Sequence, residues 1–153
     1  MVSELYAPAP VEGRCALVTG ASSGIGRATA ERLAELGCRL VVAARRADRL
    51  EELASELQSK YGAKVHCAVL DVTDTDAVLA LPASLPAAFA DVSILINNAG
   101  GALGTAKVTE NDMADVTTML DANVRGVVAA TRAFSPGMVS REEGHIVNIS
   151  SIA

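Results

Sequence analysis

Three groups of residues in this 153-residue chain have types and spacings that could do chemistry. The stretch TGASSGIG, residues 19–26, spaces Gly20, Gly24 and Gly26 as G-x-x-x-G-x-G directly after the apolar run CALVT. A backbone that must turn tightly, and let a pyrophosphate reach amide groups at a helix N-terminus, needs residues without side chains there. No Gly-Lys-Ser/Thr follows, which excludes a nucleoside-triphosphate P-loop. The second group is Arg45-Arg46, directly after Ala44. Two guanidinium groups can hold a phosphate through charge-assisted, paired bonds; the plainer alternative is two solvated arginines that open the helix ADRLEEL. The third group, Ser150-Ser151, ends the apolar run HIVNI. A hydroxyl just past the C-terminal end of a strand can hold a ligand oxygen in the crevice of an open α/β sheet. The same pair could instead form a turn or a helix cap.

The elements that must position these groups alternate along the chain. Strand-like runs are CALVTG (15–20), RLVVAA (39–44), KVHCAVLD (64–71), VSILINN (92–98) and HIVNIS (145–150). They are almost continuously apolar, as expected of strands covered on both faces of a parallel sheet. The spacing predicts a helix from Ile25 to Leu36 closed by Gly37, and another from Asp48 to Tyr61 closed by Gly62. The second would bury Leu50, Leu53, Ala54 and Leu57 on one face. A long helical pattern after Thr109 carries Val116, Met119, Leu120, Val124, Val127 and Val128. Its acidic start, TENDMAD, suits the positive end of the helix dipole. Strand-helix repeats of this length predict an α/β fold with a doubly wound parallel sheet. One domain is expected over 13–153, after an extension at 1–12.

Further landmarks stand between these groups. Asp71-Val72 closes the third run, NNAG at Asn97–Gly100 follows the fourth, and Asn123 lies in the long helix before GHIVNISS. Together with the glycine loop, their order and separation over residues 13–153 resemble the short-chain dehydrogenase/reductase family. The resemblance implies a Rossmann-like sheet in the order 3-2-1-4-5, truncated after the fifth strand, that binds a nicotinamide dinucleotide. Gly20, Ser22, Ser23, Gly24, Ile25 and Gly26 would then surround the cofactor's phosphates. Asp71 would bond the adenine amino group with the Val72 backbone beside it, and Asn98, Ala99 and Gly100 would pass under adenosine and ribose. NAD enzymes generally place a carboxylate at the end of the second strand for the ribose 2′-hydroxyl. Ala44-Arg45-Arg46 stands there instead, so NADP is expected over NAD, with both arginines on its 2′-phosphate.

The resemblance also implies catalytic roles. Hydride transfer between nicotinamide and an alcohol carbon needs a donor on the substrate oxygen, a base for the hydroxyl proton, and close approach to the ring. In the family the second serine of N-x-S-S holds the substrate oxygen, which assigns Ser151; Ser150 takes the role if the register is off by one. Asn123 would disturb its helix and bind a water that relays protons to a lysine. The proton itself belongs to a Tyr-x-x-x-Lys motif beyond the serine. The sequence has only Tyr6 and Tyr61, neither followed four residues later by lysine, and it stops at Ala153. The expectation is therefore the N-terminal part of an NADP-dependent oxidoreductase of small alcohols or carbonyls, inactive alone. NNAGGALG and SPGMVSREEGHIVNISS resemble the subgroup that oxidises serine, allo-threonine and related 3-hydroxy acids. A non-catalytic NADP-binding module is the alternative. A methyltransferase also has a glycine loop after its first strand, but NNAG and NISS disfavour it.

Composition narrows the remaining classes. Half the residues are hydrophobic and a fifth charged, which marks a globular chain. The net charge of −5 speaks against nonspecific nucleic-acid binding. Cys15, Cys38 and Cys67 lack CxxC or His-pair spacing, so core thiols are expected rather than a metal site or disulfides. His66 and His145 read as structural, and Met113, Met119 and Met138 as packing. The N-terminus lacks the basic start and apolar run of a signal peptide. The uncharged stretch Ala77–Ala90 is broken by Pro82 and Pro86 and is too short to span a bilayer. A cytoplasmic protein with no membrane partner is expected, and the family resemblance implies a dimer or tetramer when full length, paired through the long helix. HIVNISS should lie at a sheet edge, partly uncovered.

Overall fold

A computed structural model describes residues 10–104 and 106–151. The strands β1 (Cys15–Thr19), β2 (Arg39–Ala44), β3 (Val65–Val69), β4 (Val92–Asn97) and β5 (His145–Asn148) are all parallel, in the order β3-β2-β1-β4-β5. Each falls within the run expected from sequence. Their continuous apolarity has a simple cause. Cys15 and Leu17 of β1 enter one core with Val41, Ala43 and Leu95, while Ala16 and Val18 enter a second core with Leu40, Val42, Ile94 and Ile96. Alternate side chains thus meet different layers, and both layers are apolar.

The second core is roofed by α1 (Gly24–Glu35) and α2 (Ala47–Tyr61), through Ala30, Ala34, Leu50, Leu53 and Leu57. Gly62 closes α2 in the left-handed conformation and returns its N–H to the Gln58 carbonyl at 2.9 Å. The first core is covered by α3 (Thr75–Ser84) and α5 (Val127–Ser140), through Val78, Leu81, Ala129, Ala130, Phe134 and Met138. Sequence reading saw only a proline-broken stretch where α3 lies. Asp74 starts this helix by accepting from the Ala77 amide at 3.0 Å, and Pro82 lies inside its last turn, where the missing N–H forgoes one backbone bond, to the Val78 carbonyl, shortly before the helix ends.

The long helix after residue 109 is not uniform. It runs as α4 (Met113–Leu120), a π turn over 121–126, and then α5. Asp112 caps α4 by accepting from the Ala114 amide at 2.8 Å. The π turn carries more residues per turn than an α-helix, so it rotates α5 relative to α4. The expected apolar face is consequently wrong in part: Leu120, Val124 and Val128 are 54, 51 and 61 % exposed. Gly126, Ala129, Ala130, Phe134 and Met138 face inward instead. Met113 is also exposed rather than packed, whereas Met138 is buried.

The cysteines are free, as expected, and Cys15 and Cys38 are buried. Residues 1–9 of the expected extension lie outside the described residues; Val11 already packs on the second core, and its carbonyl accepts from Cys38 Sγ at 3.2 Å. His66 packs against Phe89, ring centres 5.6 Å apart. Among the described residues no helix is long and apolar enough to cross a membrane.

Candidate functional site

Strand order reverses between β1 and β4, and in such sheets ligands bind in the crevice at the C-terminal strand ends. Thr19, the buried last residue of β1, organises that point. Its hydroxyl donates to the Ile96 carbonyl at 3.2 Å and accepts from the amides of Asn98 and Ala99, each at 3.0 Å. Asn98 answers by donating from Nδ2 to the carbonyls of Thr19 (3.0 Å) and Gly20 (3.3 Å). The loop after β4 is thereby latched to the loop after β1.

Gly26 makes this latch possible. A Cβ on Gly26 would collide with the Gly20 carbonyl oxygen and stand 2.5 Å from Asn98 Nδ2. At the N-terminus of α1, Ser23 makes no side-chain capping bond, and Gly24 and Ile25 are exposed in the first turn. A Cβ on Gly24 would meet nothing within 4 Å. A bare helix N-terminus beside open space is a fit for a phosphate group.

The two arginines part company. Arg46 Nη2 donates to Ser22 Oγ at 2.9 Å and Ser23 Oγ at 3.2 Å, which holds its guanidinium over the glycine loop. Arg45 leans the other way, its Nη1 4.0 Å from Asp71 Oδ2, and is largely exposed. Asp71 Oδ1 accepts from the Thr73 amide at 3.0 Å and the Thr73 hydroxyl at 2.9 Å. Those bonds, the amide first, hold the Asp71 carboxyl below the usual aspartate range, with Arg45 adding to the effect and partial burial opposing it. Val72, half-buried, follows at the first core.

Asn123 lies inside the π turn, and both of its amide atoms are engaged. Oδ1 accepts from the Gly101 amide at 2.9 Å, and Nδ2 donates to the Gly101 carbonyl at 2.8 Å. The side chain therefore braces the loop after β4, next to Gly100. On the other side of that loop, buried Asn97 donates from Nδ2 to Asn148 Oδ1 at 2.9 Å and Thr131 Oγ1 at 3.3 Å. The Ile149 amide continues the pairing onto the Asn97 carbonyl at 2.9 Å. Ser150 and Ser151 follow at once, exposed at the same end of the sheet.

The glycine loop, Arg45, Arg46, Asp71, Val72, Asn98, Ala99, Gly100, Ser150 and Ser151 thus all lie at the C-terminal strand ends or the segments just beyond them, and Asn123 joins them from the long helix through Gly101. Sequence reading passed over Thr19, Asn97, Thr131 and Asn148, which tie the loops together. For Thr19, Asn97 and Asn148 a polar residue at the end of an apolar strand was the available signal, though it names no partner; Thr131, inside α5, carried none. No cluster able to hold a metal ion occurs among the described residues.

A family model for short chain dehydrogenase matches residues 14–153. The chain belongs to that family. It is 46 % identical over 144 residues to an NADP-dependent 3-hydroxy acid dehydrogenase of Schizosaccharomyces pombe, a match that covers 94 % of this chain and 56 % of the relative. It is 46 % identical over 138 residues to sulfoacetaldehyde reductase 2 of Chromohalobacter salexigens, covering 90 % of this chain and 54 % of that one. Among solved structures, the closed form of a serine dehydrogenase complexed with NADP+ superposes with a TM-score of 0.82 at 40 % identity, over 90 % of this chain and 54 % of that one. The chain spans about half the length of the curated relatives it matches.

Proposed function

We propose that this short-chain dehydrogenase chain is the cofactor-binding part of an NADP-dependent oxidoreductase acting on a small alcohol or carbonyl compound, a 3-hydroxy acid such as serine or allo-threonine. The observation that carries the reading is the end of β2, where two arginines and no carboxylate stand beside the glycine loop, one of them bonded to Ser22 and Ser23. A 2′-phosphate suits guanidinium groups and hydroxyl donors, and a carboxylate would repel it. The relative named as an NADP-dependent 3-hydroxy acid dehydrogenase and the serine dehydrogenase bound to NADP+ support both cofactor and substrate class. Equal identity to a sulfoacetaldehyde reductase supports a small sulfonated aldehyde as the second reading.

The dinucleotide, when bound, supplies the hydride donor or acceptor. The chain's own residues then divide the remaining work. Gly20, Gly24, Ile25 and Gly26 let the N-terminus of α1 approach the pyrophosphate. Arg46, with Ser22 and Ser23, and Arg45 hold the 2′-phosphate, with Asp71 and the Val72 backbone at the adenine. Asn98, Ala99 and Gly100 lie under adenosine and ribose. Ser151 donates to the substrate oxygen. Asn123 positions the Gly100–Gly101 segment, and its second amide N–H and second oxygen lone pair stay open for a water that relays protons.

The Tyr61 hydroxyl donates a hydrogen bond to Glu31 Oε1 at 3.1 Å, at the C-terminal end of α2 and away from the crevice. Neither it nor Tyr6 stands four residues before a lysine. The proton-transferring group is accordingly assigned outside these residues, and the 153-residue chain is expected to bind cofactor without turnover. The same reading makes the whole protein a cytoplasmic dimer or tetramer. The test is a titration with NADPH and NADH. A preference for NADPH of about tenfold or more, the value of one charge-assisted contact, is expected, and Arg45→Asp should reverse it. Equal affinity of the unmutated chain for both cofactors would sink the reading.

A further inference from the structure

We infer that Gly126, inside the π turn, is a positioning residue that sets where Asp71 and Val72 stand at the edge of the nucleotide site. The inference rests on the proposed adenine contact of those two residues. Gly126 is buried, and its missing side chain leaves a space that Val72 fills. A Cβ there would stand 2.8 Å from the Val72 carbonyl oxygen, 3.1 Å from Val72 Cβ and 3.3 Å from Val72 Cγ2. Two of these atoms are fixed by the backbone, so no side-chain rotation clears them.

Val72 cannot give way alone. The residues on either side of it are joined, because Asp71 Oδ1 accepts from both the amide and the hydroxyl of Thr73. Residues 71–73 therefore move as one piece, and a displaced Val72 peptide carries the Asp71 carboxylate with it. The same π turn grips the other loop through the two Asn123–Gly101 bonds. One widened turn thus touches the loop after β3 and the loop after β4 at once, and their separation follows from its shape. A glycine inside a helix is otherwise unfavourable, because alanine is the better helix former. Gly137, in α5, shows the contrast. A Cβ there approaches only the flexible end of the Arg141 side chain, with Nη1 at 3.0 Å, whose bond from Nη2 to the Val92 carbonyl, at 2.7 Å, lies at the opposite end of β4 from the crevice.

The experiment titrates the whole chain with adenosine 2′,5′-bisphosphate, which carries the adenine and 2′-phosphate but no nicotinamide. Gly126→Ala should weaken binding about tenfold, the scale of an overpacked contact, and Gly137→Ala should leave it within about twofold. In the same samples, the NMR amide resonances of Asp71, Val72 and Thr73 should shift in Gly126→Ala only, while the Asp71 titration, held mainly by the Thr73 bonds that travel with it, should stay where it is. A destabilised but correctly arranged fold would not show that signature. If Gly126→Ala does not fold, Val72→Ala takes its place: it withdraws the methyls seated on the turn and should weaken binding about threefold or more. Binding unchanged in the folded variant, or weakened equally by Gly137→Ala, overturns the inference and leaves the proposed function standing. No binding by the unmutated chain overturns both.

Discussion

β1 and β5 are both short, apolar and parallel, and both end where the crevice begins, yet their surroundings are opposite. Cys15, Ala16, Leu17 and Val18 of β1 are fully buried, whereas Ile146 of β5 is 36 % exposed and only Val147 of that strand is half-buried. β1 has a strand on either side and helices on both faces; β5 pairs with β4 alone. The helices repeat the contrast. α2 buries Leu50, Leu53 and Leu57, while α4 and its π turn leave Leu120 and Val124 in solvent. An apolar strand or helix pattern marks the element, and its neighbours decide how much of it is covered. The β1–β2 side closes on its own residues. The β5–α4 side carries apolar surface that nothing in the described residues covers.

The largest effect should come from the closed side. Leu17→Ala is expected to cost about 3–4 kcal/mol in urea unfolding, while Ile146→Ala costs about 1 kcal/mol or less. Equal losses would break the comparison. Gly26→Ala should cost about 2 kcal/mol despite alanine's better helix propensity, because its methyl enters the Gly20–Asn98 latch; a neutral result would mean that the latch relaxes freely. On the open side, Asp112→Ala should cost about 1 kcal/mol, since a helix cap acts without burial.

Two further effects depend on pH and have opposite signs. Burial pushes the Cys15 thiol from 9.0 up to about 11. The unfolded chain releases this proton first, so stability should fall as pH rises from about 9 to about 11. Urea midpoints measured across that range, with Cys15→Ala as control, would show it; an identical slope in the variant would exclude Cys15 as the source. Asp71 is held below the usual aspartate range, so its contribution is present above that range and fades as pH falls through its folded pKa. It should be the smallest effect because the carboxylate is partly solvated. Thr73→Ala, which removes the hydroxyl donor, should raise the Asp71 titration seen by NMR; no change would mean that the amide bond alone sets it.

Much of the site was legible from residue types. Glycines at 20, 24 and 26, paired arginines after Ala44, NNAG and the closing serines each mark a local need that holds in any surroundings: a tight turn, a phosphate, a bend after a strand, a hydroxyl at a strand end. Thr19, Asn97, Asn148 and Thr131 were not legible, because their partners lie 34 to 80 residues away and only folding brings them together. α3 is not legible because Pro82 marks a break in the pattern, whereas the structure accommodates it inside the last turn at the loss of one backbone bond. The phase of the long helix was missed because a π turn adds residues to one turn without marking itself in the apolar pattern.

By itself the sequence determined the five strands, the glycine turn and the doubly wound parallel class, since each follows from short-range periodicity and from which residues can occupy a turn; the strand order came with the family resemblance. Only the tertiary structure decided that Arg46 sits on the glycine-loop serines while Arg45 faces Asp71, that Asn123 spends its amide on Gly101, and that Gly126 seats Val72. These are contacts between residues far apart in the chain. Their geometry depends on how the layers pack, and no local pattern encodes that.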